Sequence, residues 1–402
     1  MPNNDPGDRV RDAAAPHDGR TMELTTATYL QSTGWSARLP TAADGPRTLV
    51  LAFGAAALAD DPRPLAELAA AFPQSHLIGC STSGHILGDR VADDGLVAAV
   101  ARFERSDLAT AVATVATPAD SAAAGRQLAA ALSARPGLRA VFVCSDGLAV
   151  NGSELAHAIG DGVGPSVLVT GGLAGDGDRF RRTWVAHGAT VGRGTVAAVG
   201  LYGEHLRVGH GSAGGWDRFG PERRVTRSAG NVLFEIDGRP ALALYKQYLG
   251  DRAAGLPATA LLFPLALRSG PDQAHHLVRT VLAVDEAAQS MTFAGDVPQG
   301  HLAQLMRANP DRLIDGAAAA AGDAAGHGDP ADAAGSVLTV AVSCVGRRLV
   351  LGERTEEELE AVAARVGFYS YGEICPHSTD GHPGAAELHN QTMTVTRLAE
   401  AA

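Results

Sequence analysis

Three clusters of residues in this 402-residue chain have the types and spacing to do chemistry. The first, Gly79-Cys80-Ser81-Thr82-Ser83-Gly84-His85, sets a thiol, three hydroxyls and an imidazole around glycines. Glycines let backbone amides approach a ligand, so Cys80, Ser81, Thr82, Ser83 and His85 form a candidate cradle for a carboxylate or phosphate. The competing reading is a tight turn with ordinary hydrogen bonds. In the second, GGLAGDGDRF from Gly171, Asp176 or Asp178 can hold an amine while Arg179 grips a carboxylate bidentately, the pair of charges an amino acid requires. Against this stands a hairpin connection between Val169 and Trp184 in which Asp178 pairs with Arg179 or Arg182 in solvent.

The third cluster is the densest. GFYSYGEICPH from Gly367 and ELHNQTMTVTRL from Glu387 crowd aromatic, charged and amide residues into a chain otherwise rich in alanine. If the two segments pair as neighbouring strands, alternate residues face one pocket. There Tyr369 and Tyr371 supply walls, Glu373 or Glu387 takes an ammonium, and His389, Asn390 and Thr392 fix orientation. The alternative is structural, with Glu387 paired to an arginine and His389 satisfied in a polar network.

Catalytic and metal chemistry are less well served. A nucleophile elbow needs GxSxG between strand and helix, whereas Ile86 to Arg90 does not begin a helix. Cys144-Ser145-Asp146-Gly147 reads as a small buried cysteine ending an apolar strand. A hydrolase or transferase using Cys80 or Ser81, with His85 or His389 as base, is the rival of another class. Haem needs an axial ligand in an apolar cavity, and His85, His389 and Cys375 are chemically able. No CxxCH attachment motif is present, the 14 histidines are scattered, and His275-His276 sits on a strand whose neighbours point to opposite faces. No metal is assigned.

The elements that position these clusters alternate between strand and helix. Polar residues 1–22 read as a disordered tail. Strands are expected at Thr48 to Gly54, His76 to Ser81, Arg139 to Cys144 and Ser166 to Thr170, with Val91 to Glu104 and Leu108 to Val115 as a pair. Helices are expected at Pro62 to Phe72, Ser121 to Leu132 and Asn151 to Ile159. Leu206 to Gly220 reads as a passage between halves, which places domains at 23–212 and 213–402. Beyond it, Val225 to Ile236 reads as strand, Pro240 to Tyr248 as helix, Gln304 to Ala320 as an interrupted helix and Thr355 to Val366 as helix. Ala317 to Ala334 is a low-complexity helix end and loop. The fold class is α/β in the mixed α+β sense, two domains with mixed sheets flanked by helices.

Composition bounds the partners. The chain is 46% hydrophobic and 19% charged, ordinary for a globular protein. A net charge of −11 without a lysine or arginine block disfavours nucleic acid and anionic membranes. Four separated cysteines without a CxxC pair fit a reducing cytoplasm, and neither a signal peptide nor a membrane-spanning run is written.

GFYSYGEI followed by a variable loop and ELHNQTMT resembles the C-terminal part of the FIST family, named for F-box and intracellular signal transduction. Gly79 to Gly84 resembles that family's GCST-type segment, and Gly171 to Asp176 its second glycine-rich turn. The likeness runs from about Thr48 to Leu398; His85 departs from it, standing where relatives often carry glutamate. The resemblance implies a non-enzymatic sensor that binds a small molecule, an amino acid or similar metabolite, or haem as in some bacterial relatives. It also implies a separate signalling partner, since no output module is visible in this sequence.

Overall fold

The computed structural model describes residues 22–272, 276–326, 337–379 and 382–401. The expected tail up to residue 21, most of the expected loop after Gly326, and His275 lie outside the described residues.

Three sheets share one organisation. Each is built on a parallel pair of apolar strands: Thr48–Ala55 with His76–Thr82, Leu138–Ser145 with Leu168–Leu173, and Leu338–Cys344 with Val366–Ser370. These runs are buried almost throughout, as strands covered on both faces must be. At the same register point the second strand of each pair carries a glycine, Gly79 opposite Ala52, Gly171 opposite Val143 and Gly367 opposite Ala341. A Cβ at any of the three would overlap the opposing carbonyl oxygen. The first strand of each pair is flanked by a long antiparallel strand, respectively Leu96–Phe103, Thr195–Tyr202 and Met393–Glu400.

Each sheet is completed by a hairpin from another. The chain leaving His76–Thr82 forms His85–Leu87 and Arg90–Ala92, which extend the third sheet by pairing with Val366–Ser370. The chain leaving Leu168–Leu173 forms Val185–His187 and Thr190–Gly192, which pair with His76–Thr82 in the first. The chain leaving Val366–Ser370 forms Gly372–Thr379 and His382–His389, which pair with Leu168–Leu173 in the second. The result is a cyclic exchange among three equivalent units. Their inner faces meet in one core containing Phe53, Cys80, Phe142, Cys144, Val342 and Phe368.

A fourth sheet lies within residues 217–307, built on Asp217–Ala229 and Leu302–Arg307. It has its own core, where Leu242, Leu244 and Tyr245 of helix Ala241–Leu249 pack with Val225, Met291 and Phe293. The mixed α+β class expected from the sequence is thus observed, in two domains.

Several local expectations are corrected. Leu96–Phe103 and Asp107–Thr114 do not pair; the latter joins Thr195–Tyr202 in the second sheet. The Glu400 carboxylate turns the chain between them by accepting the amides of Glu104 at 2.7 Å, Arg105 at 3.0 Å and Ser106 at 2.5 Å. Leu206–Ala213, expected as a passage, is a strand paired along its length with Met393–Glu400. Val225 to Ile236 contains a turn between two paired strands, Asp217–Ala229 and Val232–Ile236. Gln304 to Ala320 is strand Leu302–Arg307 followed by helix Pro310–Gly326, because Pro310 can open a helix but not continue one. Helix Gly152–Val163 begins as expected after Asn151, whose Oδ1 accepts the amides of Ser153 and Glu154.

Candidate functional site

The cyclic exchange brings the glycine-rich segments of the sequence into one hydrogen-bonded knot. Ser83 donates its amide to the Tyr369 carbonyl at 2.8 Å, and Tyr369 donates its own to Gly84. Gly175 N donates to Ser81 O, Ser81 N to Trp184 O, and Tyr371 N to Leu173 O. The Ser83 hydroxyl accepts the Gly177 amide at 3.0 Å. GCSTSG, GGLAGD and FYSYG are therefore three equivalent crossings between sheets. The hairpin expected between Val169 and Trp184 is absent because these segments belong to different sheets.

Asp176 and Tyr371 meet in this knot. Tyr371 donates its hydroxyl to Asp176 Oδ1, while Asp176 Oδ2 accepts the amides of Arg181 at 3.0 Å and Arg182 at 2.9 Å. Burial works against the carboxylate, but these donors outweigh it and hold its pKa below the ordinary range. Burial and the neighbouring Asp176 raise the Tyr371 phenol, so it stays neutral. Phe180 stacks on Tyr371, centroids 4.4 Å apart at 17°, and donates its amide to the tyrosine oxygen at 3.2 Å.

The other expected residues divide by position. Glu373 is fully buried and accepts hydrogen bonds from Ser370 Oγ at 2.5 Å and Thr392 Oγ1 at 2.9 Å. Burial pushes its carboxyl up to about 8, against the pull of those donors and Arg347. The two C-terminal segments do pair, with Glu373 opposite His389 and Cys375 opposite Glu387. His389 Nε2 lies 3.0 Å from the Cys375 carbonyl, the Asn390 amide donates to the His389 carbonyl, and Glu387 is half-buried. Thr82 donates its hydroxyl to the Gly54 carbonyl, and Ser81 Oγ accepts the Trp184 amide. Cys80 is buried against Cys144, and burial, then that contact, raise its thiol well above the ordinary value. His85 occupies the position in its unit that Glu373 holds in another, and burial lowers its imidazole to about 4. Arg179 is exposed.

Each parallel pair leaves a crevice at the carboxyl ends of its strands, the place where open α/β sheets take ligands. The three crevices differ. The first is an open groove edged by Asp60, Asp61, Asp93 and Asp94. The third is filled by Arg347, wholly buried with Glu358 in an ion pair at 2.6 Å and donating also to the carbonyls of Gly214 and Leu313. The second is roofed by the fourth sheet, leaving a cleft of about 160 Å³. Its floor and one wall are Gly147, Leu148, Asn151, Leu173, Phe180 and Tyr371; Asn231, Leu282 and Phe293 to Gly295 close it from above.

Asp146 shapes the floor, accepting Leu148 and Ala149 amides through Oδ1 and the Thr183 hydroxyl and Gly194 amide through Oδ2. Across the cleft edge, Asn151 donates to Asp296 Oδ1 at 3.0 Å and Asp296 N donates to Ser153 Oγ at 3.2 Å. Of the residues expected from sequence, Tyr371 lines this cleft and Asp176 stands behind it. Leu148, Asn231 and Phe293 escaped the sequence reading because each stands outside any run of chemistry-bearing residues. The Asp146-Gly147 pair and the N-cap Asn151 were the available signals.

His85, His389 and Cys375 do not fit an axial haem ligand here. Each is buried within a sheet, His389 Nε2 faces a carbonyl, burial raises the Cys375 thiol, and none lines the cleft.

The FIST N domain model matches residues 48–239 and the FIST C domain model residues 241–376. The chain belongs to the FIST family. FIST domains are sensor domains of signal transduction. No curated protein matches the chain. A solved structure described as cyanuric acid hydrolase aligns at 11% identity over 95% of this FIST chain and 100% of its own, with a TM-score of 0.29. At that score the likeness supports neither a fold nor an activity assignment. Among the described residues, no helix is long and apolar enough to cross a membrane.

Proposed function

We propose that this FIST protein is a cytoplasmic small-ligand sensor that binds its ligand in the roofed cleft and reports occupancy to a separate signalling protein. The observation that carries this reading is the origin of the cleft walls. One comes from the three-sheet body and the other from the separately cored fourth sheet. A ligand touching both favours one arrangement of the two, which is what transmitting a signal requires.

Specific hydrogen bonds and a shared apolar cluster, where Ala266, Val278 and Met306 meet Leu313 and Leu351, tie the fourth sheet to the body. Arg279 donates to the Leu388 carbonyl, the Gln391 side chain donates to the Leu261 carbonyl, Asp296 bonds Asn151 and Ser153, and Trp216, next to the fourth sheet, donates to the Gln391 carbonyl at 2.9 Å. Three of these ties end on Leu388 and Gln391, which couples the roof to the ELHNQT segment. A sensor also accords better than a hydrolase with Cys80, whose contact is another thiol and whose proton is held tightly. The free state of all four cysteines supports a reducing compartment.

Hydrogen exchange tests the reading. A metabolite that raises the melting temperature should slow exchange together at 148–151 and at 231–233 and 291–295. Protection confined to the C-terminal strands would move the site away from this cleft.

A further inference from the structure

We infer that the cleft selects a neutral, flat molecule of about one ring and rejects zwitterions and ions, an inference that rests on the cleft being the ligand site. Charge comes first. Among the described residues, no carboxylate, ammonium, guanidinium or imidazole lines it, and the Asp296 carboxylate at its edge is engaged by Asn151. The one titratable lining group, Tyr371, donates a hydrogen bond to Asp176 and remains a neutral phenol. A free amino acid would lose the hydration of two charges there and gain no counter-charge.

Shape comes second. The stacked Phe180 and Tyr371 present aromatic surface on one side, and Phe293 lies in the opposing wall. Phe180 sits at φ 51°, a conformation that costs a bulky residue free energy and that persists where the surroundings enforce it, often at ligand clamps. In this conformation the Phe180 amide donates to the Tyr371 hydroxyl. The volume of about 160 Å³ matches the roughly 150 Å³ of an engineered cavity that accepts benzene.

Hydrogen bonding comes third. Asn151 spends its Oδ1 on the helix amides and its Nδ2 on Asp296. Asn231 uses one Nδ2 hydrogen on the Phe293 carbonyl at 2.8 Å, and its Oδ1 is available to accept from a ligand N–H or O–H. The favoured class is therefore a neutral ring carrying a hydrogen-bond donor.

The test is titration calorimetry of the full chain with matched pairs: indole against tryptophan, phenol against tyrosine, and benzamide against benzoate. The expected result is that at least one neutral member binds at least tenfold tighter than its charged counterpart. Leu282→Trp from the roof and Leu148→Trp from the floor, both at partly exposed positions, should each abolish that binding while circular dichroism stays native. Charged counterparts binding as tightly, with loss in both variants, would overturn the selectivity and leave the cleft as the site. Binding that survives both folded variants would overturn the cleft reading itself. Absence of binding by every neutral ring at millimolar concentration would overturn the inference.

Discussion

The second and third crevices occupy equivalent places in equivalent sheets, yet one is roofed and hollow and the other is filled. In the third, helix Val345–Leu351 drives Arg347 into the space, where Glu358 and carbonyl oxygens satisfy it. In the second, Asp146 bends the loop sharply after Leu138–Ser145 and places Gly147 and Leu148 where the arginine would have stood. The same backbone plan thus yields a structural plug or a binding cleft according to the first residues after one strand. The two dense C-terminal segments largely serve the plug, since Tyr369 donates its hydroxyl to Glu358 and Gln391 offers its carbonyl to Arg347.

The largest way to break this comparison is to remove half of the plug. Arg347→Met strands the Glu358 charge in the interior and should lower stability by about 3–5 kcal/mol, whereas Arg347→Met with Glu358→Leu should recover most of the loss. Urea denaturation midpoints measure both; a single variant as stable as wild type would show that the plug is not structural.

On the cleft side, Tyr371→Phe removes the hydroxyl that joins Asp176, Gly177 and Phe180. Its cost should be about 1–3 kcal/mol, smaller than that of the plug because Asp176 keeps two backbone donors. The Phe180 amide, which loses its acceptor, should exchange its hydrogen faster in the variant.

Equivalent positions 85 and 373 sharpen the comparison through pH. Glu373 has a raised pKa, so the native state holds a proton that the unfolded chain releases between about pH 4.5 and 8; its contribution is full at low pH and declines as pH rises through that window. His85 has a lowered pKa, so its contribution is present above about pH 6.5 and declines as pH falls toward 4. Glu373→Gln should flatten the loss of stability on the alkaline side, and a His85→Asn variant the loss on the acid side. Unfolding midpoints from pH 4 to 9 would reject the assignment if either variant changed the opposite limb.

The smallest expected effect is none at all: haem added to the purified protein should produce no stoichiometric Soret band in an absorption spectrum. A sharp band would return His85 and His389 to consideration as ligands.

Much of the local structure was legible in the sequence. The apolar run Thr48–Ala55, the proline-opened helix Arg63–Ala71 and the Asn151-capped helix announce themselves through periodicity and caps. Membership of the FIST family was legible too, because FYSYGEI, which lies within the FIST C match, is built from uncommon residues in fixed order. The exchange of hairpins was not, since nothing local in His85–Leu87 says that its partner is Val366–Ser370. Its trace was the glycine at 79, 171 and 367, hidden by unequal spacing because the fourth sheet interrupts the third unit. As for the site, chemistry-bearing residues drew the eye to positions that the fold uses to join its sheets. The cleft is lined by leucine, phenylalanine and asparagine, which become a site only when distant segments meet.

The cyclic exchange has a further consequence for synthesis. Leu168–Leu173 leaves the ribosome long before Gly372–Thr379, the strand that covers its edge. Until then the second sheet presents a bare row of amides and carbonyls flanked by valine and leucine, a template for pairing with other chains. Long-range pairing of this kind also slows folding, so the nascent chain spends that interval vulnerable to aggregation. A chain stopped before residue 372 never closes that edge, and chaperone dependence should rise steeply with truncation there.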